Sequence, residues 1–170
     1  MSTEVAVVLA IVFTVIFTMG FSVFFGAPYV PTRRKWASDA LKMAKIKTSD
    51  VVVDLGSGDG MIIKLVAGYG AKAIGYEINP ILFLFSRVRT IKYRKQVRVK
   101  LKNYWQENLP TETTIVYIFG LERDSEKLEK YLQAQVKQVR AKRLKVITFG
   151  FSLLNLKPIK SAGGAKLYRV

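Results

Sequence analysis

The feature that most constrains this chain is a glycine-rich loop that directly follows a short β-branched run. Val51–Val53 is a continuous apolar stretch of the kind that forms a buried parallel strand. Asp54–Gly60, with the sequence DLGSGDG, comes immediately after it, and a helical pattern follows. Ligands of open parallel sheets bind beyond the carboxyl ends of the strands. The order of strand, glycine loop and helix therefore predicts a ligand site at residues 54–60.

The spacing of the glycines narrows the class of ligand. A dinucleotide site has the pattern G-x-G-x-x-G and a P-loop has G-x-x-x-x-G-K-[ST], whereas the glycines here are Gly56, Gly58 and Gly60. The G-x-G-x-G form suits a nucleoside cofactor without a pyrophosphate, whose amino-acid end packs against the loop. Glu77 ends the next predicted strand, where its carboxylate is placed to accept both ribose hydroxyls. Asn103, after the third predicted strand, could bond an adenine amino group or serve as an ordinary turn residue.

Beyond residue 33 the chain alternates patterns typical of strands and helices. The predicted strands are 51–53, 73–77, 97–101, 114–119, 144–149 and 165–170, and the predicted helices are 33–46, 59–68, 79–94 and one that opens at Asp124. This alternation predicts an α/β fold, a Rossmann-like doubly wound and mostly parallel sheet with helices on both faces. Residues 161–164 (SAGG) are the only turn signal before the last strand, so we expect a trimmed final hairpin.

The composition limits the chemistry and the partners. The chain has no cysteine and no histidine, which excludes thiolate nucleophiles and removes the commonest general base and metal ligands, and no metal site is expected. Its formal net charge of +16 predicts contact with an anionic surface, and both nucleic acid and lipid head groups qualify.

The N-terminal segment predicts a membrane anchor. Residues 5–25 (VAVVLAIVFTVIFTMGFSVFF) carry no charge over a length that matches a bilayer core. A cleaved signal peptide would need a basic start, and a buried core helix would show a polar face. We therefore divide the chain into a transmembrane helix at 1–26 and a folded domain at 27–170. Arg33, Arg34 and Lys35 place that domain on the cytoplasmic side, or the matrix side of a mitochondrial membrane.

Two longer stretches resemble a known family. VVVDLGSGDG at 51–60 and GYEINP at 75–80 resemble the class I methyltransferases that use S-adenosylmethionine. With PYVPT at 28–32, the chain is similar to small protein-lysine methyltransferases of the archaeal broad-specificity type and of the mitochondrial type that acts on the ADP/ATP carrier and the ATP synthase c subunit. The resemblance covers about residues 27–121.

The resemblance implies a cofactor and roles for individual residues. S-adenosylmethionine would be held by Asp54, Gly56, Ser57, Gly58, Asp59, Gly60, Glu77 and Asn103. Asn103 stands where the family tends to have an acid. Tyr29 and Thr32 would close the pocket near the methyl group as the candidate catalytic residues, with Tyr29 orienting the acceptor amine.

The resemblance and the charge together lead to a functional hypothesis. We expect methylation of lysine side chains of membrane-associated protein substrates, next to an anionic lipid surface. RNA or DNA methylation is the alternative, disfavoured because residues 118–121 (IFGL) lack the D/N-P-P-Y/F motif of amino-methyltransferases and because no cysteine exists for carbon-5 chemistry. Methylation of a small molecule at the membrane and a non-catalytic scaffold also remain open.

Overall fold

The computed structural model describes residues 2–25, 33–141 and 143–170, with side chains in the first range given for residues 2–14 and 20. The helices are α1 (Thr3–Phe25), α2 (Arg34–Ala44), α3 (Met61–Gly68), α4 (Pro80–Arg89) and α5 (Ser125–Val136). The strands are β1 (Val51–Leu55), β2 (Lys72–Glu77), β3 (Val97–Leu101), β4 (Ile115–Phe119), β5 (Lys145–Phe149), β6 (Lys160–Ala162) and β7 (Ala165–Arg169). Short 3₁₀ turns lie at Ile91–Tyr93, Tyr104–Gln106 and Glu122–Asp124.

The strands form one mixed sheet in the order β3-β2-β1-β4-β5-β7-β6. The first five run parallel, β7 is antiparallel to β5, and β6 is antiparallel to β7. The chain order reverses between β1 and β4, and this is where ligands bind in doubly wound sheets. The Rossmann-like part of the prediction is confirmed. The last hairpin is present, formed by β7 and a three-residue β6 that the sequence analysis did not predict.

Helices cover both faces of the sheet. On one face α2 and α3 pack their apolar residues on β1, β4, β5 and β7. On the other, α5 and the loops around Leu109 and Phe151 bury the opposite side chains of the same strands. Every residue of β1 is buried, as expected for a central strand enclosed on two sides.

Local chemistry explains where α4 begins and ends. The Asn79 side chain accepts hydrogen bonds from the backbone N–H groups of Ile81 (2.9 Å) and Leu82 (3.2 Å), with Pro80 at the first helical position. The helix ends before residue 94 because the Thr90 hydroxyl donates to the Ser86 carbonyl oxygen (2.7 Å) and the chain then enters a 3₁₀ turn.

The predicted membrane anchor requires a correction. Among the described residues, no helix combines the length and the apolarity needed to cross a membrane. The predictions of a transmembrane helix and of a single-pass membrane location are therefore wrong. The predicted boundary between 26 and 27 lies outside the described residues.

Candidate functional site

The glycine loop is fastened to the carboxyl end of β2 by backbone hydrogen bonds. The N–H groups of Gly56 and Ser57 both donate to the Tyr76 carbonyl oxygen, at 3.0 and 2.8 Å. The Gly60 N–H closes the loop onto the Ser57 carbonyl oxygen at 2.9 Å, and α3 begins at the next residue. The predicted order of strand, loop and helix is therefore present, and it lies at the ligand-binding edge of the sheet.

Glu77 lies at the end of β2, with its carboxylate turned to the backbone around it. Its Oε2 accepts from the Gly58 N–H at 2.7 Å, and its Oε1 accepts from the N–H groups of Ile78 (2.9 Å) and Asn79 (2.8 Å). Burial raises the pKa of this carboxyl above its ordinary value, although the three N–H donors act in the opposite direction. Glu77 thus joins the loop to the second strand and places a buried negative charge beside it.

Two glycines permit close packing around the loop. Gly60 has φ +81°, and a Cβ there would lie 2.4 Å from the Ser86 Oγ and 3.0 Å from the Ser86 Cα. A Cβ on Gly75, which pairs with Asp54 across β1 and β2, would lie 2.6 Å from the Ser57 Oγ. Sequence reasoning did not assign roles to Gly75 or Ser86. A glycine inside a strand is itself a sign of close backbone approach, whereas Ser86 carries no such sign.

Three carboxylates converge on the loop. Asp54 is buried, and its pKa is raised well above the ordinary value by that burial and by the negative charges of Glu77 and Asp59. Asp59 has structural partners: its Oδ1 accepts from the Met61 N–H at 3.2 Å, and its Oδ2 lies 2.5 Å from the Arg89 Nη1. It therefore fastens the start of α3 to α4.

The loop has the properties expected of a cradle for a cationic nucleoside. As far as the described residues go, the space beside Gly56 is open, since an added Cβ would meet none of their atoms within 4 Å. The buried Ser57 hydroxyl has no hydrogen-bond partner among the described residues. A ligand with hydroxyl groups would hydrogen-bond to this hydroxyl and to Glu77. A positive charge would counteract the burial and the charge repulsion that raise the pKa of Asp54. S-adenosylmethionine, with a ribose, an ammonium and a sulfonium, fits this donor and charge set.

The other predicted residues are not all brought to the loop. The Asn103 Oδ1 accepts from the Trp105 N–H at 3.1 Å and so forms the turn into the 3₁₀ segment after β3. This geometry supports the turn role, and the adenine contact stays a prediction. Tyr29 and Thr32 lie outside the described residues.

An aromatic cluster that sequence reasoning missed lies at the ends of β4 and β5. Phe149 stacks between Trp36 (ring centroids 6.0 Å apart) and Phe119 (6.1 Å), and we call these three residues the aromatic shelf. The Arg33 guanidinium lies over the Trp36 ring, 5.1 Å from its centroid. The phenylalanines at the ends of two predicted strands could have indicated an aromatic cluster. Nothing in the sequence indicates that Trp36 packs against them.

A comparison with known protein families shows which family this chain belongs to. The model of the ANTKMT methyltransferase domain matches residues 54–160, more than half of the 170-residue chain. The chain belongs to the ANTKMT methyltransferase domain family.

Curated relatives of this ANTKMT-family chain include enzymes named for lysine methylation. The Xenopus laevis enzyme named as the lysine N-methyltransferase of the ATP synthase c subunit is 36% identical over 111 residues, which cover 64% of this chain and 48% of the frog protein. The protein-lysine N-methyltransferase of Saccharolobus islandicus (strain REY15A) is 32% identical over 114 residues, which cover 65% of this chain and 70% of the archaeal protein. The ANTKMT-family chain thus spans about half the length of its relatives from animals.

A solved structure shares the fold of the ANTKMT-family chain. The RNA methyltransferase from Salinibacter ruber, crystallised with S-adenosyl-L-homocysteine, superposes with a TM-score of 0.73 at 27% sequence identity. The match covers 82% of this chain and 92% of that one. The likeness confirms the class I methyltransferase fold that the glycine loop and its flanking strands had indicated.

Proposed function

We propose that this domain is an S-adenosylmethionine-dependent methyltransferase that acts on lysine side chains of proteins. The observation that carries the proposal is the buried Glu77 carboxylate, hydrogen-bonded to the Gly58 N–H at the base of the glycine loop. The relatives named for lysine methylation support the class of acceptor. We assign cofactor binding to the loop residues of 54–60, to Glu77 and, from the resemblance alone, to Asn103.

The residues of the cradle have distinct roles in this proposal. When bound, S-adenosylmethionine supplies an activated methyl group on a sulfonium. Glu77 accepts the ribose hydroxyls through the lone pairs that its backbone donors leave, and Asp54 provides negative charge for the cationic end of the ligand. The backbone N–H groups of the loop fix the ligand's orientation. The protein's main contribution is alignment, which replaces a bimolecular encounter by a positioned one.

The acceptor amine must be neutral to react. The chain's net charge of +16 disfavours a further positive charge nearby and so lowers the pKa of an approaching lysine. We propose that Tyr29 orients that amine and that Thr32 helps to close the pocket. Tyr29→Phe should then reduce methyl transfer at least tenfold with cofactor affinity unchanged, and a full rate in this variant would show that Tyr29 has no such role.

One surface supports the proposal that substrates are presented at an anionic lipid surface. Leu84, Phe85 and Val88 of α4 are exposed, and residues 80–106 contain four arginines, four lysines and no acidic residue. Exposed apolar side chains with a basic rim are typical of surfaces that rest on anionic lipid.

Vesicle binding tests this surface. The protein should sediment with phosphatidylglycerol vesicles more than with phosphatidylcholine vesicles. Phe85→Ser should weaken that binding, while Tyr69→Ser, at an exposed aromatic directly after α3, should not. Equal binding to both lipids, or none, would rule out the lipid partner.

RNA methylation is the second candidate, favoured by the basic charge and by the likeness to the Salinibacter ruber enzyme. A labelling experiment distinguishes lysine methylation from RNA methylation. Radiolabelled S-adenosylmethionine and the protein are added to purified ATP synthase c subunit, to mixed cellular protein and to RNA. We expect label that survives protein hydrolysis as methyl-lysine. Label found in RNA alone would replace the lysine proposal by the RNA one.

A further inference from the structure

The aromatic shelf lies on the same edge of the sheet as the glycine loop. Leu55 pairs with Ile118 in the parallel β1–β4 ladder, so the next residues, Gly56 and Phe119, are neighbours at the carboxyl ends of these strands. Phe119 pairs in turn with Phe149 across β4 and β5. The shelf therefore begins beside the open space at Gly56, where the reacting end of the cofactor is expected.

The shelf is accessible from solvent. Trp36 is 41% exposed although it is the largest side chain type and stacks on the 8%-exposed Phe149. The turn between β6 and β7 contributes no side chain beneath it: an added Cβ at Gly163 would lie 4.0 Å from the Trp36 ring, and one at Gly164 would lie 3.6 Å from the Phe149 ring. Within the described residues, part of the Trp36 ring is thus left exposed near the cradle.

The shelf already attracts a cation. The Arg33 guanidinium lies 5.1 Å from the centroid of the Trp36 ring, within the range of a cation–π contact. Arg33 is exposed, and its side chain makes no capping hydrogen bond at the start of α2. Its side chain is therefore able to move aside for another cation.

We propose that the aromatic shelf receives the side chain of the acceptor lysine and stabilises positive charge on its nitrogen. This inference rests on the proposed function. The alkyl chain would lie on the exposed part of the Trp36 ring, with the nitrogen directed towards the loop past Phe119.

The charge change during transfer gives the shelf its effect. The lone pair of the neutral amine forms the new N–C bond while the C–S bond breaks and its electron pair passes to sulfur. The positive charge moves from sulfur to nitrogen, and the resulting ammonium releases one proton to water. A ring face beside the nitrogen stabilises the positive charge of the transition state more than it stabilises the neutral amine. It should therefore raise kcat as well as lower KM.

A binding experiment tests the shelf without catalysis. The chain contains two tryptophans, Trp36 and Trp105, so Trp105→Phe leaves Trp36 as the only indole reporter. With saturating S-adenosylhomocysteine, Nα-acetyl-trimethyllysine amide should change Trp36 fluorescence at concentrations at least several-fold lower than uncharged Nα-acetyl-norleucine amide. Equal responses to the two probes, no response, or a stronger response to adenosine monophosphate would overturn the inference.

A kinetic experiment separates the shelf from the proposed function. Trp36→Ala should lower kcat/KM for a lysine peptide roughly tenfold, about what one cation–π contact in a desolvated site supplies. Trp36→Phe should recover most of this loss. Affinity for S-adenosylhomocysteine should stay unchanged in both, and Tyr69→Ala is the matched control.

The two failures are distinguishable. If the unaltered protein methylates no lysine, the proposed function is wrong, and the fluorescence titration still decides whether the shelf binds alkylammonium groups. If it methylates lysine and Trp36→Ala has the full kcat/KM, the shelf has no role in acceptor binding.

Discussion

The glycine loop and the aromatic shelf share one edge of the sheet but are built differently. The loop is a continuous segment, residues 54–60, held by backbone N–H donors that reach Tyr76 and Glu77. The shelf is assembled from rings on α2, β4 and β5, which are spread over more than a hundred residues of the chain. The cofactor side therefore depends on backbone conformation and should tolerate little change. The acceptor side depends on side-chain surfaces, which can vary while the fold is kept.

The largest difference in stability is expected when a glycine of the loop and a glycine beside the shelf are each replaced by alanine. Gly60 and Gly164 both have positive φ, +81° and +85°, so alanine costs about 1 kcal/mol or more of backbone strain at either. Only at Gly60 does the new Cβ meet Ser86, whose Cα would be 3.0 Å away. We expect Gly60→Ala to lower the free energy of unfolding by about 3 kcal/mol, with loss of S-adenosylhomocysteine binding, and Gly164→Ala by about 1 kcal/mol.

Denaturant unfolding and calorimetric titration measure these two changes. Gly68→Ala is the control for the substitution itself, because Gly68 lies at the end of α3 with nothing within 4 Å of an added Cβ and with no positive φ. It should be neutral or slightly stabilising. Equal losses at Gly60 and Gly164 would contradict the idea that the cofactor side is the more tightly packed one.

Glu77→Gln should give the next largest effect, and only on the cofactor side. The amide keeps one acceptor oxygen but presents an NH₂ group to donors that the carboxylate now accepts from. We expect S-adenosylhomocysteine affinity to fall between tenfold and a hundredfold. Glu126→Gln, at an exposed glutamate paired with Lys130, is the matched control. Unchanged affinity in Glu77→Gln would remove Glu77 from the cofactor site.

Cofactor affinity should depend on pH in a direction set by the buried acids. The pKa values of Asp54 and Glu77 are raised, chiefly by burial. We propose that the charged forms of these carboxylates bind the ligand. Affinity should then fall as pH decreases, and this fall should begin at a higher pH than ordinary carboxyl groups would give. Titrations with S-adenosylhomocysteine across the acidic range measure it. An affinity constant down to the ordinary carboxyl range would contradict the role of these charges.

The difference between the two sides also explains what the sequence could predict. Local sequence patterns predict the loop, its flanking strands and Glu77. This is possible because the residues that set the backbone conformation and the N–H groups that donate hydrogen bonds lie in short stretches of sequence. The cap at Asn79 is local in the same way. The shelf could not be predicted, since only the β4–β5 register and the packing of α2 bring Trp36 to Phe149.

Asp54→Asn should have the smallest effect and should separate binding from stability. The folded-state pKa of Asp54 lies above its unfolded value, so the folded protein holds a proton that the unfolded chain releases as pH rises between the two. The wild-type domain therefore loses stability across that range, and the amide variant does not. We expect Asp54→Asn to be more stable by on the order of 1 kcal/mol above the folded pKa, with no gain below the unfolded one.

The same substitution should weaken S-adenosylhomocysteine binding, because it removes the charge placed for the cationic end of the ligand. Denaturant unfolding at acidic and neutral pH, together with calorimetric titration, gives both quantities. A variant that is less stable at neutral pH would mean that Asp54 is held charged by favourable contacts.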